Sequence, residues 1–393
     1  MDFSDSPEEA QFRAEVREWL AANLPHDWLT REPKAGLMEI EAAADWAKRL
    51  YEAGYVGITW PREYGGRGLG SNYHVIFLEE AGRAHSPAPL GVIGLGMAGP
   101  TILAWGTPEQ KLRLVPKILS GEEIWCQGFS EPGSGSDLAA ARTTAELDGN
   151  EWVVNGQKVW SSFAHVADWC ILVVRTDPSV KKHKGLSYLL VDMHSPGVEV
   201  RPLKQITGDP EFNEIFFTDV RVPKDSILGK PGDGWLVAMT TLLHERGSLG
   251  FALTGDLDQT VGRVVRLAKE PDERGRRPAD DPLVRDRITQ AWIDLQALRY
   301  VNYRSLTEML KTGIPGPEGS IAKLHWSESN QSASKLAVEI EQLAGQLDGE
   351  GGIWDGYWQH HQLRSRGNTI EAGTSEILRT IIAERVVGLP RSH

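Results

Sequence analysis

The segment QGFSEPGSGSD, residues 127–137, lies where a helical sequence pattern gives way to a β-strand pattern. Its glycines and serines predict a turn that offers backbone N–H groups and hydroxyls to an acceptor-rich ring or a phosphate. From these residues alone, a flexible loop without a ligand is an equally open interpretation. The segment decides the order of the fold because the sequence before it is typical of helices and the sequence after it is typical of strands.

The region that follows, residues 123–231, is predicted to be a β-domain. Asp148-Gly149 and Asn155-Gly156 are both typical of hairpin turns. Strands of this length and spacing favour an antiparallel sandwich or barrel. The β-rich runs are 152–154, 159–161, 170–175, 186–191, 198–202 and 215–222.

The flanking regions, residues 1–122 and 232–393, carry the periodicity of helices. Ser6 with Glu9 three residues later forms a capping-box signature, and Thr107 with the following Pro predicts another helix start. The long C-terminal periodic segments favour a helix bundle. We therefore predict an α+β protein with an N-terminal helical domain, a middle antiparallel β-domain and a C-terminal helical bundle.

Composition and charge predict the cellular compartment and argue against one class of partner. The 393 residues carry a net charge of −12, which argues against nucleic acid as the main partner. Cys126 and Cys170 form no CxxC pair, so reduced thiols in a cytoplasmic protein are expected. The N-terminal sequence lacks the features of a signal peptide. The longest apolar stretch, Leu90 to Trp105, is interrupted by glycines and prolines and predicts no membrane span.

Two motifs suggest chemistry that their surroundings do not support. Residues 94–99 match GxGxxG, but a dinucleotide site needs a strand before the glycines, so close helix packing is the preferred interpretation. His360 and His361 are adjacent and therefore point to different faces, with no third ligand at useful spacing. We interpret them as surface histidines and predict no metal site.

Glu245 is the sharpest single candidate for catalysis. On a helix it shares a largely apolar face with four residues: Thr241, Leu242, Leu249 and Ala252. A carboxylate in such a place must be paired, neutral or catalytic. A surface helix with irregular patterning remains the alternative, since charged residues are mostly exposed. Trp160, between a strand and small hydroxyl residues, is open to a core or a cofactor-wall interpretation.

Together these segments resemble the acyl-CoA dehydrogenase family over nearly the whole chain. They are 127–137, 159–162, 242–246 and 369–377, followed by 383–385. The resemblance implies an FAD enzyme that removes the α-proton of an acyl-CoA thioester and passes the β-hydrogen as hydride to flavin N5. It also implies a four-helix bundle at the C-terminus, and an electron-transferring flavoprotein as electron acceptor.

The resemblance also implies a set of site residues. Ser130 would bond the pyrimidine side of the flavin, Ser162 would face N5, and Trp160 would cover one ring face. The implied cofactor-binding set is Gln127, Phe129, Ser130, Gly135, Ser136, Trp160, Ser161, Ser162, Gln342, Gly345 and Thr374. The implied substrate-binding set is Ser136, Arg246, Ala372 and Gly373, with the Ala372 N–H donating to the thioester oxygen.

The position of the base departs from the commoner family pattern. Most members carry the base directly before Gly-Thr, where this chain has Ala372 and Glu371 stands one residue earlier. That shift turns a helical side chain by about 100°. Isovaleryl-type and long-chain-type members place the base on the first helix after the β-domain, before an arginine. Glu245-Arg246 matches that arrangement, so Glu245 is predicted as the base, with Glu371 as the alternative.

The motifs that would bind the adenosine end of FAD depart from the family pattern, and the assembly stays open. The family's Arg-x-x-Phe-Gly is reduced to Arg274-Gly275-Arg276-Arg277-Pro278, and Gln342 and Gly345 are what remains of a second motif. The run WCQGFS, residues 125–130, resembles actinobacterial members that act on steroid side chains as two-chain assemblies. We expect a homotetramer or homodimer, or a heterotetramer with a homologous chain. A non-catalytic partner subunit and a flavin oxidase remain alternative functions.

Overall fold

Ten α-helices and seven strands are defined within the described part of the chain. The computed structural model describes residues 4–26, 28, 32–36, 40–271, 275–312, 316–349 and 351–391, with only the helical backbone of 245–249. The helices are α1 (Pro7–Asn23), α2 (Ile40–Glu52), α3 (Ser71–Arg83), α4 (Gly99–Trp105), α5 (Pro108–Ser120), α6 (Gly234–Lys269), α7 (Pro282–Thr312), α8 (Gly319–Glu341), α9 (Tyr357–Asn368) and α10 (Ser375–Ile381). The strands are β1 (Trp125–Gly128), β2 (Thr144–Asp148), β3 (Glu151–Ser162), β4 (Trp169–Arg175), β5 (Leu186–Asp192), β6 (Val198–Leu203) and β7 (Phe212–Pro223). The predicted order of helical, β and helical regions is confirmed.

Both predicted helix starts, at Ser6 and Thr107, are present, and each has a capping box. In α1 the Ser6 hydroxyl accepts a hydrogen bond from the Glu9 N–H, and the Glu9 carboxylate accepts one from the Ser6 N–H, at 3.2 and 2.7 Å. Thr107 and Gln110 make the same reciprocal pair at the start of α5. These contacts satisfy N–H groups that a helix start leaves without partners, so local sequence alone fixes both starts.

The seven strands form one sheet, and β4 joins its parts. Along the main path the order is β1-β4-β2-β3-β7-β6, and β5 pairs with β4. Most pairs are antiparallel as predicted, but β1 runs parallel to β4 along its whole length, and β2 meets β4 in parallel at Thr144 and Arg175. The wholly antiparallel prediction was wrong for these two pairs, because the chain between the paired strands is long enough for a crossover.

One of the two predicted hairpin turns is wrong. Asp148-Gly149 does join β2 to β3, and Gly149 has φ +62°. Asn155-Gly156 instead lies inside β3, where the pairing with β7 shifts register. Gly156 has φ +152°, and a Cβ there would meet Thr143 at 2.5 to 2.7 Å. Asn-Gly marks a bulge here because glycine both tolerates this backbone and allows the close approach.

The chain divides into two compact units that cut across its three predicted regions. One contains Met1–Leu37, Leu69–Pro87 and Arg246–His393, and the other contains Met38–Gly68 and Ala88–Glu245. The second unit holds the sheet and packs its core around Trp60, Trp125 and Tyr188. The first unit packs two apolar clusters between its long helices. Among the described residues no helix combines the length and apolar character that a bilayer span requires.

The prediction that His360 and His361 are both surface residues is wrong for His361. Its Nε2 lies 3.4 Å from Thr260 Oγ1 and 3.4 Å from Asn330 Oδ1. Its ring stacks on Tyr357 at 5.5 Å between centroids. Burial lowers the pKa of His361 to about 4, so the ring is neutral at physiological pH.

Candidate active site

The predicted flavin loop follows β1, a strand of the sheet in the second unit. Its tip is a tight turn in which Glu131 and Ser134 exchange backbone hydrogen bonds at 2.8 and 3.0 Å. The Ser134 hydroxyl donates to the Asp137 carbonyl at 2.7 Å. Gly135 and Ser136 are exposed, and a Cβ added at Gly135 would meet nothing within 4 Å. The loop therefore has a fixed backbone and an open outer face.

The Phe129 side chain does not lie on that outer face. Its ring is buried and packs edge-on against Tyr188 at 5.8 Å between centroids. The flanking residues Gln127 and Ser130 are half-buried. Of the residues predicted to line a cofactor here, Phe129 therefore offers its backbone and not its ring.

A buried ion pair lies beneath the loop. Lys158 Nζ donates to Glu131 Oε1 at 2.8 Å and to the Phe129 carbonyl at 3.1 Å. The Glu131 carboxylate also accepts the N–H groups of Arg142 and Thr143, at 2.7 and 2.9 Å. Burial by itself would raise the pKa of Glu131, but Lys158 and the two N–H donors outweigh it and lower that pKa. Burial lowers the pKa of Lys158 despite the partner carboxylate.

The second predicted segment ends β3. Trp160 has a left-handed backbone with φ +62°, and its indole stays 59% exposed while its edge meets Phe212 at 6.0 Å. Ser162 is half-buried. Ser161 is wholly buried, and its hydroxyl has no hydrogen-bond partner in the described part of the chain. Strained backbone of this kind is concentrated at functional sites, and here it holds an aromatic ring at the end of a strand.

Helix α6 continues without a break through the position of the predicted base. One turn before Glu245, Thr241 is buried and its hydroxyl lies 2.9 Å from that of Thr101 and 3.0 Å from that of Tyr188. Further along the same face, Ala252 is exposed. The side chains of Glu245 and Arg246 lie outside the described residues.

The alternative base, Glu371, is held on both carboxylate oxygens in the first unit. Arg364 Nη2 donates to Oε2 at 3.0 Å, and Asn368 Nδ2 donates to Oε1 at 2.7 Å. The loop after it is shaped by two left-handed residues, Ala372 at φ +51° and Gly373 at φ +98°. Glu371 therefore fastens α9 to this loop.

The same loop is anchored from below by Lys323, a buried residue of α8. Its ammonium donates to the carbonyl of Asn368 at 2.6 Å and to that of Gly373 at 2.9 Å. Thr374 then caps α10, with its hydroxyl accepting from the Ile377 N–H at 3.3 Å. The two carbonyls lie on either side of residues 369–372, so one ammonium fixes both ends of that stretch.

Family models account for almost the entire chain. The acyl-CoA dehydrogenase N-terminal domain matches residues 6–122, the middle domain 126–220 and the C-terminal domain 232–387. The chain belongs to the acyl-CoA dehydrogenase family. Members of this family are flavin-dependent oxidoreductases that use FAD.

Individual relatives match this chain over all or nearly all of their length. Acyl-CoA dehydrogenase IpdE1 of Mycobacterium tuberculosis is 44% identical over 391 residues, covering 97% of this chain and 98% of the relative. A structure described as "Tcur3481-Tcur3483 steroid ACAD" matches with a TM-score of 0.85 and 30% identity over 100% of both chains. The ChsE4-ChsE5 complex from Mycobacterium tuberculosis matches with a TM-score of 0.84 and 31% identity, again over 100% of both chains.

The donors of the second unit fit the flavin of an acyl-CoA dehydrogenase. The isoalloxazine is flat and rich in acceptors. The exposed indole of Trp160 offers such a ring an apolar face, and the open loop around Gly135 offers backbone N–H groups. The unpartnered Ser161 hydroxyl lies at the same strand end.

The residues predicted for the adenosine end lie in the first unit. Gln342 ends α8 in an unusual backbone conformation, φ +55° and ψ −121°. Gly345 must be glycine because a Cβ there would lie 2.6 Å from the Val338 carbonyl oxygen. Arg277 forms an exposed ion pair with Asp280 at 3.0 Å, and Arg274 lies outside the described residues. Gln342 and Gly345 as cofactor residues stay predictions.

Sequence reasoning missed two buried lysines, Lys158 and Lys323, whose ammonium groups hold these loops. Lys158 has the same parity along β3 as the buried Trp152 and Val154, so strand alternation already indicated an inward side chain. Lys323 lies on a face of α8 whose buried members include small polar residues such as Ser327. That pattern indicates a polar interior between helices, which an inward lysine fits.

Proposed function

We propose that this chain catalyses the α,β-dehydrogenation of an acyl-CoA thioester, with Glu245 as the base that takes the α-proton. The observation that supports this choice of base is the engagement of Glu371. Both of its oxygens accept hydrogen bonds, from Arg364 and Asn368, and the position just before Gly-Thr is Ala372. Because α9 side chains already engage both oxygens, Glu371 would have to give up these hydrogen bonds before it could approach a substrate proton.

The proposed roles of the chain's residues follow from their chemistry. The Glu245 carboxylate takes the α-proton, and the electrons of that C–H bond form the new double bond as the β-hydrogen leaves with its electron pair. FAD, when bound, supplies the two-electron acceptor. The Ala372 N–H donates to the thioester oxygen and stabilises the developing enolate charge. Trp160 excludes water, while Ser130 and Ser162 bind and orient the ring.

The proposed substrate carries a bulky acyl group. Support comes from relatives of which one is described as a steroid acyl-CoA dehydrogenase. A panel of acyl-CoA thioesters from butyryl to steroid side chains, assayed with an artificial electron acceptor, tests this proposal. We expect the bulky thioesters to give the highest kcat/KM. A clear preference for butyryl-CoA would contradict the proposal.

The base assignment is tested by two matched substitutions, Glu245→Gln and Glu371→Gln. Each removes one negative charge while keeping the size of the side chain. Both proteins are expected to retain FAD. Anaerobic reduction of the flavin by acyl-CoA should slow about 10³-fold in the first variant, as expected for loss of a general base, and less than about tenfold in the second. The reverse order would transfer the role to Glu371.

A second candidate is a subunit that is complete only with a homologous partner chain. Helix α7 exposes five large apolar side chains: Leu283 at 74%, Trp292 at 54%, Ile293 at 48%, Tyr300 at 57% and Leu310 at 57%. Exposed apolar residues concentrated on one helix are typical of an interface. The ChsE4-ChsE5 relative is described as a complex of two chains. Flavin content and activity that appear only on co-expression with a homologous chain would favour this candidate. A yellow, active homo-oligomer would exclude it.

A further inference from the structure

The stability of the sheet does not by itself explain the buried ion pair of Lys158 and Glu131. Lys158 is 0% exposed and Glu131 is 8% exposed. Taking both charges out of water is costly, and apolar residues of similar size often give equal or better stability. On the same face of β3, Trp152 and Val154 already belong to an apolar cluster. The presence of two opposite buried charges at this place therefore points to a role beyond packing.

The bonds of the pair connect the two segments that the proposed function assigns to the flavin. Lys158 lies on β3 two positions before Trp160, and its ammonium holds the carbonyl of Phe129, the residue just before Ser130. A further bond runs from the Val159 N–H to the Ser130 carbonyl at 2.9 Å. A change at the pair is therefore transmitted directly to the backbone that presents Ser130.

The pair also places fixed charge in a medium of low dielectric. Glu131 holds the far end of the loop through the Arg142 and Thr143 N–H groups. The ammonium lies on the Phe129 side and the carboxylate on the Thr143 side, so the pair has an oriented dipole. Buried charges act over longer distances than exposed ones, because water and salt screen them less.

We propose that Lys158 and Glu131 are positioning residues that shape the flavin loop and set the reduction potential of the flavin it holds. The inference rests on the proposed function, because it needs a flavin at this loop. Reduced flavin carries more negative charge than oxidised flavin. The buried ammonium therefore raises the potential, and the buried carboxylate lowers it.

The test is the midpoint potential of the bound flavin in the variants Lys158→Met and Glu131→Gln. If the protein retains flavin only together with a homologous partner chain, both variants are prepared with that chain. We expect a lower potential for Lys158→Met and a higher one for Glu131→Gln. Glu131→Gln is measured near pH 6, where Lys158 stays protonated, and Lys158→Met near pH 8, where Glu131 stays charged, each against the wild-type protein at the same pH. A loss of shape alone would move both potentials in one direction, so opposite signs distinguish an electrostatic role from a structural one.

Arg221→Met and Asp148→Asn are matched controls that remove the same charges from an exposed ion pair at the far end of β3. Glu151, at that end, is seven positions from Lys158, roughly 23 Å of strand at ~3.3 Å per residue. Both controls should leave the potential unchanged, because solvent and salt screen exposed charges at that distance. Shifts in the controls as large as those in the buried pair would overturn the inference.

A second measurement covers the case in which Lys158→Met fails to fold. Glu131→Gln keeps the shape of the side chain, and Lys158→Arg keeps the charge. In the apoprotein, we expect faster amide hydrogen exchange over residues 129–143 in Glu131→Gln, with partial protection in Lys158→Arg. Unchanged exchange together with an unchanged potential in Glu131→Gln would overturn the inference. A wild-type protein that binds no flavin overturns the proposed function as well, whereas a flavin-loaded protein with potentials shifted in one direction overturns only the inference.

Discussion

The GxGxxG stretch provides a quantitative test of why its glycines are there. The segment Gly94 to Ala98 forms a single π-helical turn that leads into α4. A Cβ added at Gly99 would lie 2.8 and 2.9 Å from Trp60 Cζ2 and Cζ3, and closer still to Cη2. A Cβ added at Gly96 would meet nothing within 4 Å. Gly99→Ala and Gly96→Ala are thus the same chemical change in two opposite environments.

The two substitutions are expected to change the free energy of unfolding in opposite directions. Carbon atoms pack at about 3.5–4.0 Å, so the Trp60 ring would have to move by roughly an ångström in a core that cannot yield freely. Gly99→Ala should therefore cost about 1–3 kcal/mol through overpacking. Gly96→Ala should gain about 0.5–1 kcal/mol, because alanine loses less backbone entropy than glycine in a helix.

Urea unfolding followed by circular dichroism at matched protein concentrations measures this difference. Gly94→Ala serves as an intermediate control, since its Cβ would lie 3.2 Å from Ile118 Cγ2 and 3.5 Å from Trp125 Cδ1. The expected order of stability is Gly96→Ala, then Gly94→Ala, then Gly99→Ala. Equal stability of the Gly99 and Gly96 variants would refute the claim that close packing against Trp60 fixes this sequence.

Two further predictions concern the first unit. Lys323→Met should lower the free energy of unfolding by about 3 kcal/mol, because two carbonyls lose a charged donor. Lys335→Met, at an exposed ion pair on the same helix, should change it by less than about 0.5 kcal/mol in the same urea assay. Similar losses in both variants would contradict the anchoring role of Lys323. Burial raises the pKa of Glu341 to about 7 despite the hydrogen bond from Gln359, so its folded pKa exceeds its unfolded one and stability should fall as pH rises from about 4.5 through 7. Glu341→Gln should remove up to about 3 kcal/mol of that pH dependence in urea titrations at several pH values, and an unchanged pH profile would show that Glu341 is not the group responsible.

Some elements of this protein follow from local sequence. The helix starts at Ser6 and Thr107 were predictable, because a capping box is made by residues three positions apart and needs nothing from the rest of the fold. The turn at Asp148-Gly149 is of the same kind. The Asn155-Gly156 prediction failed because the role of these residues depends on Thr143, which lies just before β2 and packs closely against Gly156.

The candidate site divides in the same way. Its motifs, from Gln127 to Asp137 and from Trp160 to Ser162, were visible in the sequence because backbone donors and small hydroxyl residues are clustered along the chain. The sequence did not show that Glu371 accepts hydrogen bonds from both Arg364 and Asn368. Its neighbour Asn368 is one helical turn away, but the direction of the Arg364 side chain depends on how α9 ends.

By itself, the sequence determined which segments are helix or strand, the order of the three regions and the family, since these depend on periodicity, caps and contiguous motifs. Only the tertiary structure decided that Lys158 meets Glu131, that Lys323 holds the loop before α10, and that the Phe129 ring joins the core. The physical reason is that a buried charge or ring is fixed by partners far away in sequence, and no local pattern records which partner it will find.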